Sequence, residues 1–187
     1  MIILASASPR RRELLEQIGE EFVVKVSEAE EVKSANSPLE LAEKNAKLKA
    51  LAVAKEHREY PVLGADTIVV LDGKIYGKPK DEQDARQMLK SFSGRVHEVL
   101  TGICLVKDEK IYSKTVRTEV TFGEMTEKEI EEYIATKEPM DKAGAYAIQG
   151  KAARFIKCIN GSFSNVVGLP LHELNELLKE AKLKNRV

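Results

Sequence analysis

The spacing of hydrophobic residues along the chain predicts alternating strands and helices. Ile2-Ile3-Leu4 is too short for a helix and predicts a buried strand, after which a helix should begin at Pro9 with Ser8 as its N-cap. Residues 62–71 form an almost continuous apolar run, which is typical of a central strand buried on both faces. The other predicted elements are strands over 22–26, 74–76, 96–106, 110–122 and 154–159, and helices that begin after Ser37, Asp81 and Thr126 and near Leu171.

No internal repeat, low-complexity segment or clear linker interrupts the 187 residues. A chain of this length can bury one sizeable core, and we expect a single domain over residues 1–187, built as two lobes. The tail from Lys179 to Val187 is expected to fray.

An aspartate interrupts the apolar run of the predicted central strand. Burying a lone carboxylate is costly, so Asp66 needs a cation, a metal ion or strong hydrogen bonds, or else it lies where the strand opens into a cleft. A capped or salt-bridged structural aspartate is the alternative. Thr67 adds a hydroxyl that could bind a ligand or satisfy the backbone.

Three arginines follow the first predicted N-cap. Arg10, Arg11 and Arg12 fall in the first turn of the helix, where the helix dipole is already positive and each cation is disfavoured by about 0.3–1 kcal/mol. Free N–H groups at a helix start, together with guanidinium groups that match phosphate oxygens, favour a phosphate or carboxylate ligand. The alternative is that the arginines pair with acidic residues elsewhere.

Composition narrows the function classes. Thirty basic and thirty acidic residues cancel, and the isoelectric point of about 6.9 argues against a general binder of nucleic acid or of membrane surfaces. No stretch approaches the length of a transmembrane helix and no signal peptide is evident, so a cytoplasmic protein is expected.

Cys104 and Cys158 lie in apolar runs without CxxC spacing and are predicted to be reduced core residues. His97, alone near a strand start, is more typical of a structural residue than of a catalyst.

The polar groups that the predicted core leaves unexplained form one chemical set. It comprises Ser8, Arg10, Arg11, Glu28, Glu30, Glu31, Lys49, Asp66, Thr67, Lys78 and Gln149. Cations suit a polyphosphate, carboxylates suit a divalent metal ion and an amide suits a base edge, which together indicate a nucleoside triphosphate site. The absence of Walker A and GxGxxG motifs counts against a P-loop NTPase, a protein kinase and a Rossmann dehydrogenase.

Five segments, in order, resemble the Maf family of nucleotide pyrophosphatases. They are SASPRRRELL, GADTIVVLDGKIYGKP, MLKSFSGRVHEVLTG, EPMDKAGAYAIQG and INGSFSNVVGLPL, and the resemblance runs from about Ile3 to Leu178. It implies a mixed α/β fold, with an elongated twisted mixed sheet flanked by helices and two lobes around a cleft, similar to inosine triphosphate pyrophosphatases. It also implies cleavage of a nucleoside triphosphate between the α and β phosphates with Mg²⁺ or Mn²⁺, and a homodimer.

The resemblance further implies roles for individual residues. Asp66 of GADT would be the proton acceptor for the attacking water, and Glu31 would be a metal-binding or catalytic carboxylate. A metal ion would be held by Asp66 and Glu31, and Lys49 and Lys78 would face the phosphates. One carboxylate cannot easily be both a tight ligand and a free base, so the role of Asp66 stays open between the two. The substrate-binding set is Ser8, Arg10, Arg11, Thr67 and Gln149, of which Arg10, Thr67 and Gln149 match the specificity positions of the family.

The segment AYAIQG resembles the branch of the family that prefers dTTP and UTP, and not the branch that acts on 7-methyl-GTP. A glutamine amide both donates and accepts, which suits the O4 and N3–H edge of thymine and uracil. The expected activity is therefore hydrolysis of dTTP and UTP to the monophosphate and pyrophosphate. The alternatives are a pyrophosphatase for another non-standard nucleotide, and a nucleotide-binding regulator of septum formation and cell division.

Overall fold

A computed structural model describes residues 1–183 of the chain. In this part, the strands are β1 (Ile2–Leu4), β2 (Phe22–Val24), β3 (Val62–Leu71), β4 (Lys74–Tyr76), β5 (Val96–Lys107), β6 (Lys110–Phe122) and β7 (Ile156–Asn160). The helices are α1 (Pro9–Gln17), α2 (Pro38–Ala54), α3 (Glu82–Phe92), α4 (Glu127–Ala135), α5 (Phe163–Val167) and α6 (Leu171–Glu180). Short 3-10 turns cover Glu138–Asp141, Ala143–Ala145 and Lys151–Phe155.

The seven strands form one sheet in the order β2-β1-β3-β5-β6-β7, with β4 paired to β3. Strand β1 runs parallel to β2 and β3, whereas β4 is antiparallel to β3 and β7 is antiparallel to β6. Ile3 of β1 is paired with Val23 of β2 on one side and with Val62 of β3 on the other. The mixed α/β fold predicted from the sequence is confirmed.

The chain divides into two compact units. Unit 1 comprises Met1–Thr67, Thr101–Val116 and the residues from Gly168 onward, and unit 2 comprises Ile68–Leu100 and Arg117–Val167. Strands β3, β5 and β6 each contribute residues to both units.

Within unit 1, two glycines let helix α2 approach the sheet closely. A Cβ atom added at Gly64 of β3 would lie 2.3 Å from the Ala46 carbonyl oxygen, and one added at Gly102 of β5 would lie 2.4 Å from the Ala42 carbonyl oxygen. The facing side of α2 is lined by alanines that are fully buried, including Ala42, Ala46 and Ala50. Small residues on both partners therefore set the distance between the helix and the sheet.

Within unit 2, the predicted helices and their caps are confirmed. Ala85, Met88, Leu89 and Phe92 form the buried stripe of α3. Asp81 caps α3 by accepting a hydrogen bond from the backbone N–H of Asp84, and a complete capping box of Thr126 and Glu129 opens α4. These caps satisfy N–H groups that would otherwise lack partners at the helix starts.

Some local predictions differ from the structure. Arg154 lies in a 3-10 turn, and β7 begins only at Ile156. Helix α5 is not among the predicted elements, because five residues are too few to show a helical period. Cys104 is buried as expected, but the prediction of a core position for Cys158 is wrong because β7 is an edge strand and its thiol is exposed.

The ends of two other predictions also change. Strand β2 ends at Val24 and not at residue 26. Of the tail predicted to fray, Lys179 and Glu180 belong to α6, and residues 184–187 lie outside the described part. Among residues 1–183, no helix is both long enough and apolar enough to cross a membrane.

Candidate active site

One lysine joins the two carboxylates that the sequence singled out. Lys49 Nζ lies 2.7 Å from Glu31 Oε1 and 2.7 Å from Asp66 Oδ1. The Lys49 and Asp66 side chains are 15% and 10% exposed, whereas Glu31, in the loop before α2, is 57% exposed. The cation that the burial of Asp66 requires is therefore supplied by this lysine.

The position of Lys49 follows from how α2 lies on the sheet. Its neighbours Lys44 and Lys47 are exposed on the outer face of the helix, whereas Lys49 is turned toward β3. The three lysines are chemically identical, so sequence pattern alone left open which of them points inward.

Asn45 is a site residue that the sequence reasoning missed. Its Oδ1 accepts from the Val32 N–H at 2.9 Å, and its Nδ2 donates to the Val32 carbonyl at 3.1 Å and to Asp66 Oδ2 at 3.4 Å. Asn45 is buried, and it precedes Lys49 by one helical turn on the same face of α2. The available signal was an amide on the alanine-rich side of the predicted helix, because a polar group that becomes buried requires hydrogen-bond partners.

Arg11 forms a second polar cluster of unit 1. Its guanidinium donates through Nε to the Gly168 carbonyl at 2.9 Å, through Nη1 to Ser6 Oγ at 2.9 Å and through Nη2 to Thr67 Oγ1 at 3.1 Å. Thr67 Oγ1 in turn lies 3.0 Å from Thr101 Oγ1. Burial lowers the pKa of Arg11, and the Asp66 carboxylate opposes that shift. The hydrogen bonds of Arg11 thus go to neutral oxygens and not to a carboxylate.

The start of α1 carries two more predicted binding residues. Ser8 occupies the N-cap position, but its hydroxyl makes no capping hydrogen bond, and its backbone N–H donates to Ser6 Oγ at 3.3 Å. Arg10 is half-buried in the first turn, and within residues 1–183 its side chain has no hydrogen bond or ion pair. Both side chains are available to a ligand.

Lys78 and Gln149 lie in unit 2, apart in the chain division from the other predicted site residues. Both are exposed, and neither side chain has a hydrogen bond or ion pair in the described part of the chain. The structure therefore brings Glu31, Lys49 and Asp66 together and joins Arg11 to Thr67, while Lys78 and Gln149 present free polar groups on unit 2.

Two hydrogen bonds anchor the segment that carries Gln149 within unit 2. The Gly144 N–H donates to the Gly77 carbonyl at 3.0 Å, and the Tyr146 hydroxyl lies 2.7 Å from His97 Nε2. His97 is buried, and burial lowers its pKa to about 4, so it is neutral at pH 7 and has the structural role expected of it. Gln149 thus projects from an ordered segment.

The carboxylates fit one kind of metal site. In the described residues, no group of three or more His, Cys, Asp or Glu side chains is arranged to hold a metal ion. Asp66 and Glu31 nevertheless converge on a cation, the Lys49 ammonium. Mg²⁺ is often held by one or two protein carboxylates, with water and substrate phosphates completing its coordination. The pair fits such a shared site and not an all-protein cage.

Comparisons with known proteins agree with these motifs. The sequence model of the Maf-like protein family matches residues 1–181. A dTTP/UTP pyrophosphatase of Bacillus cytotoxicus is 54% identical over 179 residues, which cover 95% of this chain and 94% of the relative. Another, of Bacillus thuringiensis subsp. konkukian, is 50% identical over 180 residues, which cover 96% and 94%.

The solved structure of the Staphylococcus aureus Ham1 protein has the same fold. It superposes with a TM-score of 0.54 at 19% sequence identity and covers 96% of this chain and 98% of its own. At this identity the likeness shows the fold alone, and it agrees with the mixed α/β fold expected from the sequence. With a family match over nearly its whole length and relatives that share half of its residues, the chain belongs to the Maf family.

Proposed function

We propose that this protein hydrolyses dTTP and UTP to the nucleoside monophosphate and pyrophosphate. The observation that carries the proposal is the contact of Lys49 with both Glu31 and Asp66 at 2.7 Å, which places an acid–base group and a cation side by side. Two relatives that share half of the sequence carry the name dTTP/UTP pyrophosphatase. Within residues 1–183, no feature favours a purely regulatory protein over an enzyme.

Asp66 is the proposed acceptor of the proton of the attacking water. Lys49 donates to one of its carboxylate oxygens and Asn45 to the other, so the carboxylate is held in one orientation and remains an acceptor. Lys49 and Lys78 are proposed to offset the negative charge that builds on the leaving pyrophosphate. Arg10 and the Ser8 hydroxyl supply further groups for phosphate oxygens at the start of α1.

The proposed cofactor is Mg²⁺ or Mn²⁺, held by Asp66 and Glu31. When bound, such an ion supplies positive charge to phosphoryl oxygens. The orientation of Asp66 by Lys49 and Asn45 serves a ligand and a base equally well, so either role is compatible with the proposal.

Gln149 is proposed to recognise the pyrimidine base. Its amide can accept from N3–H and donate to O4, whereas cytosine presents the opposite pattern at these two positions. Arg10 and Thr67 complete the proposed specificity set. We further propose that the protein acts in the cytoplasm and that it forms a homodimer. Light scattering on the purified protein tests the homodimer through its molar mass.

The test is pyrophosphate release from dTTP, UTP, CTP, GTP, ATP, ITP and 7-methyl-GTP with Mg²⁺ or Mn²⁺. We expect turnover of dTTP and UTP, and its near-complete loss in Asp66→Asn with cooperative thermal unfolding retained. Asp108→Asn, in the exposed turn between β5 and β6, is the matched control and should keep full activity. Full activity of Asp66→Asn would refute the assignment. Nucleotide binding without turnover by the unmodified protein would favour the regulator, and turnover of 7-methyl-GTP alone would favour the other branch.

A further inference from the structure

The loop that carries Glu31 has no regular secondary structure. It connects β2 to α2, and the Glu31 side chain is largely exposed although it reaches Lys49. An exposed side chain on an irregular loop loses conformational freedom when it is held in one place, so its position depends on how firmly the adjacent backbone is fixed.

Asn45 fixes that backbone at the next residue. Its amide accepts from the N–H of Val32 and donates to the carbonyl of Val32, which is the pairing that one strand residue makes with another. The second amide hydrogen is directed to Asp66 Oδ2. A rotated amide would place Oδ1 against the Val32 carbonyl and the Asp66 carboxylate, so the network permits one orientation only.

Two residues one turn apart on α2 thus engage two consecutive residues of the loop. Lys49 contacts Glu31, Asn45 contacts Val32, and both also contact Asp66. The helix therefore holds the loop and the strand in a single arrangement, in which the distance between the two carboxylates is set by α2.

We propose that Asn45 is a positioning residue that holds Glu31 beside Lys49 and Asp66 by clamping the backbone of Val32. This inference rests on the proposed function for its kinetic consequences, but the clamp itself can be tested without turnover. In this proposal Asn45 acts through the neighbouring residues of the site and does not itself contact the substrate.

The first experiment is limited trypsin digestion in the absence of nucleotide. Lys33 follows the clamped residue and is exposed, so Asn45→Ala should accelerate cleavage after Lys33 while cleavage after Lys80, in unit 2, keeps its rate. Val53→Ala, which removes buried methyl groups from α2 about two turns after Asn45, is the control for general destabilisation. An unchanged rate of cleavage after Lys33 in Asn45→Ala would overturn the clamp. Equal acceleration in Val53→Ala would also overturn it, because general destabilisation would then explain the faster cleavage.

The second experiment compares Asn45→Ala with Asn45→Asp. Asp has the shape of Asn, but it lacks both N–H donors and brings a second carboxylate toward Asp66. We therefore expect kcat for UTP to be highest with Asn at position 45, lower with Ala and lowest with Asp. We expect kcat to fall by about 10–100-fold in Asn45→Ala, as for other residues that orient a site, with KM changed by less than about threefold. A role in packing alone predicts that Asp replaces Asn better than Ala does, and that result would refute the proposal. Should the alanine variant unfold, Asn45→Ser tests the same loss of kcat.

A double-mutant cycle shows whether Asn45 acts through Glu31. In a Glu31→Gln background, Asn45→Ala should cost much less than it does alone, whereas additive losses would contradict coupling between the two. If the unmodified protein released no pyrophosphate from any nucleotide, the proposed function would fail, and the digestion pattern would still decide whether the clamp exists.

Discussion

Lys49 Nζ donates a hydrogen bond of 2.7 Å to Asp66 Oδ1, which links helix α2 to strand β3. Both side chains are mostly buried, so each has lost most of its hydration and depends on the other for compensation. The pair thus has a structural role in unit 1 in addition to the chemistry proposed for it. Removing one member leaves an uncompensated charge.

Lys49→Met should therefore destabilise the protein by about 3 kcal/mol and abolish turnover, because the Asp66 carboxylate remains buried without its cation. Lys47→Met, on the exposed face of the same helix, should change the free energy of unfolding by less than about 0.5 kcal/mol. Urea unfolding measures both. The double variant Lys49→Met/Asp66→Asn should recover part of the lost stability. A double variant with a lower free energy of unfolding than Lys49→Met would contradict the explanation.

The hydrogen bonds of Arg11 predict a second contrast on α1. Arg11→Lys keeps the charge but cannot reach the Gly168 carbonyl, Ser6 and Thr67 together, so we expect a loss of about 2 kcal/mol in the free energy of unfolding. Arg12→Lys, on the exposed side of the same turn, should be neutral. Thermal or urea unfolding measures the difference, and equal stability of the two variants would show that charge alone is required of Arg11.

Buried His97 predicts a specific acid sensitivity. Its pKa is about 4 in the folded protein and about 6.5 when unfolded, so the unfolded chain binds the extra proton between these values. The stabilisation is complete above about pH 6.5 and is lost as the pH falls toward 4, by about 3 kcal/mol in all. In urea unfolding between pH 4.5 and 7.5, His97→Gln should show a shallower loss than the unmodified protein.

The control for this pH series is His172→Gln, which replaces an exposed histidine on α6. It should keep the slope of the unmodified protein. If His97→Gln also keeps that slope, burial does not lower the pKa of His97 in the folded protein.

Gln149→Ala tests the proposed reading of the base. Loss of one or two hydrogen bonds to uracil should raise KM for UTP about tenfold and leave kcat within about threefold, since the phosphate-facing groups are unchanged. Selectivity for UTP over CTP should fall with it. Gln83→Ala, an exposed glutamine on α3 of the same unit, is the control. A fall in kcat at constant KM would assign Gln149 to the chemical step instead.

The sequence predicted much of the fold because its signals are local. The apolar run of β3 and the caps of α3 and α4 depend on neighbouring residues, and all were found where expected. The burial of Asp66 was predicted for the same reason, because a carboxylate in such a run needs a partner.

The partners themselves could not be derived from local pattern. Arg11 bonds to the Gly168 carbonyl, which is distant in sequence and has no distinguishing side chain. The choice of Lys49 over Lys44 and Lys47 depends on the rotation of α2 over the sheet, which is a property of packing. Asn45 was overlooked because an amide is unremarkable until its surroundings are known to be buried.

The close approach of α2 at Gly64 and Gly102 makes the chemistry depend on the absence of two methyl groups. A Cβ at either position would meet a helix carbonyl oxygen and lift the backbone, and Asn45 and Lys49 would withdraw from Asp66 together. Gly64 is also the first residue of GADT, so this short motif contains the carboxylate as well as the clearance that lets its lysine reach it. A relative could retain every polar residue of the site and still be inactive if its sheet no longer admitted the helix.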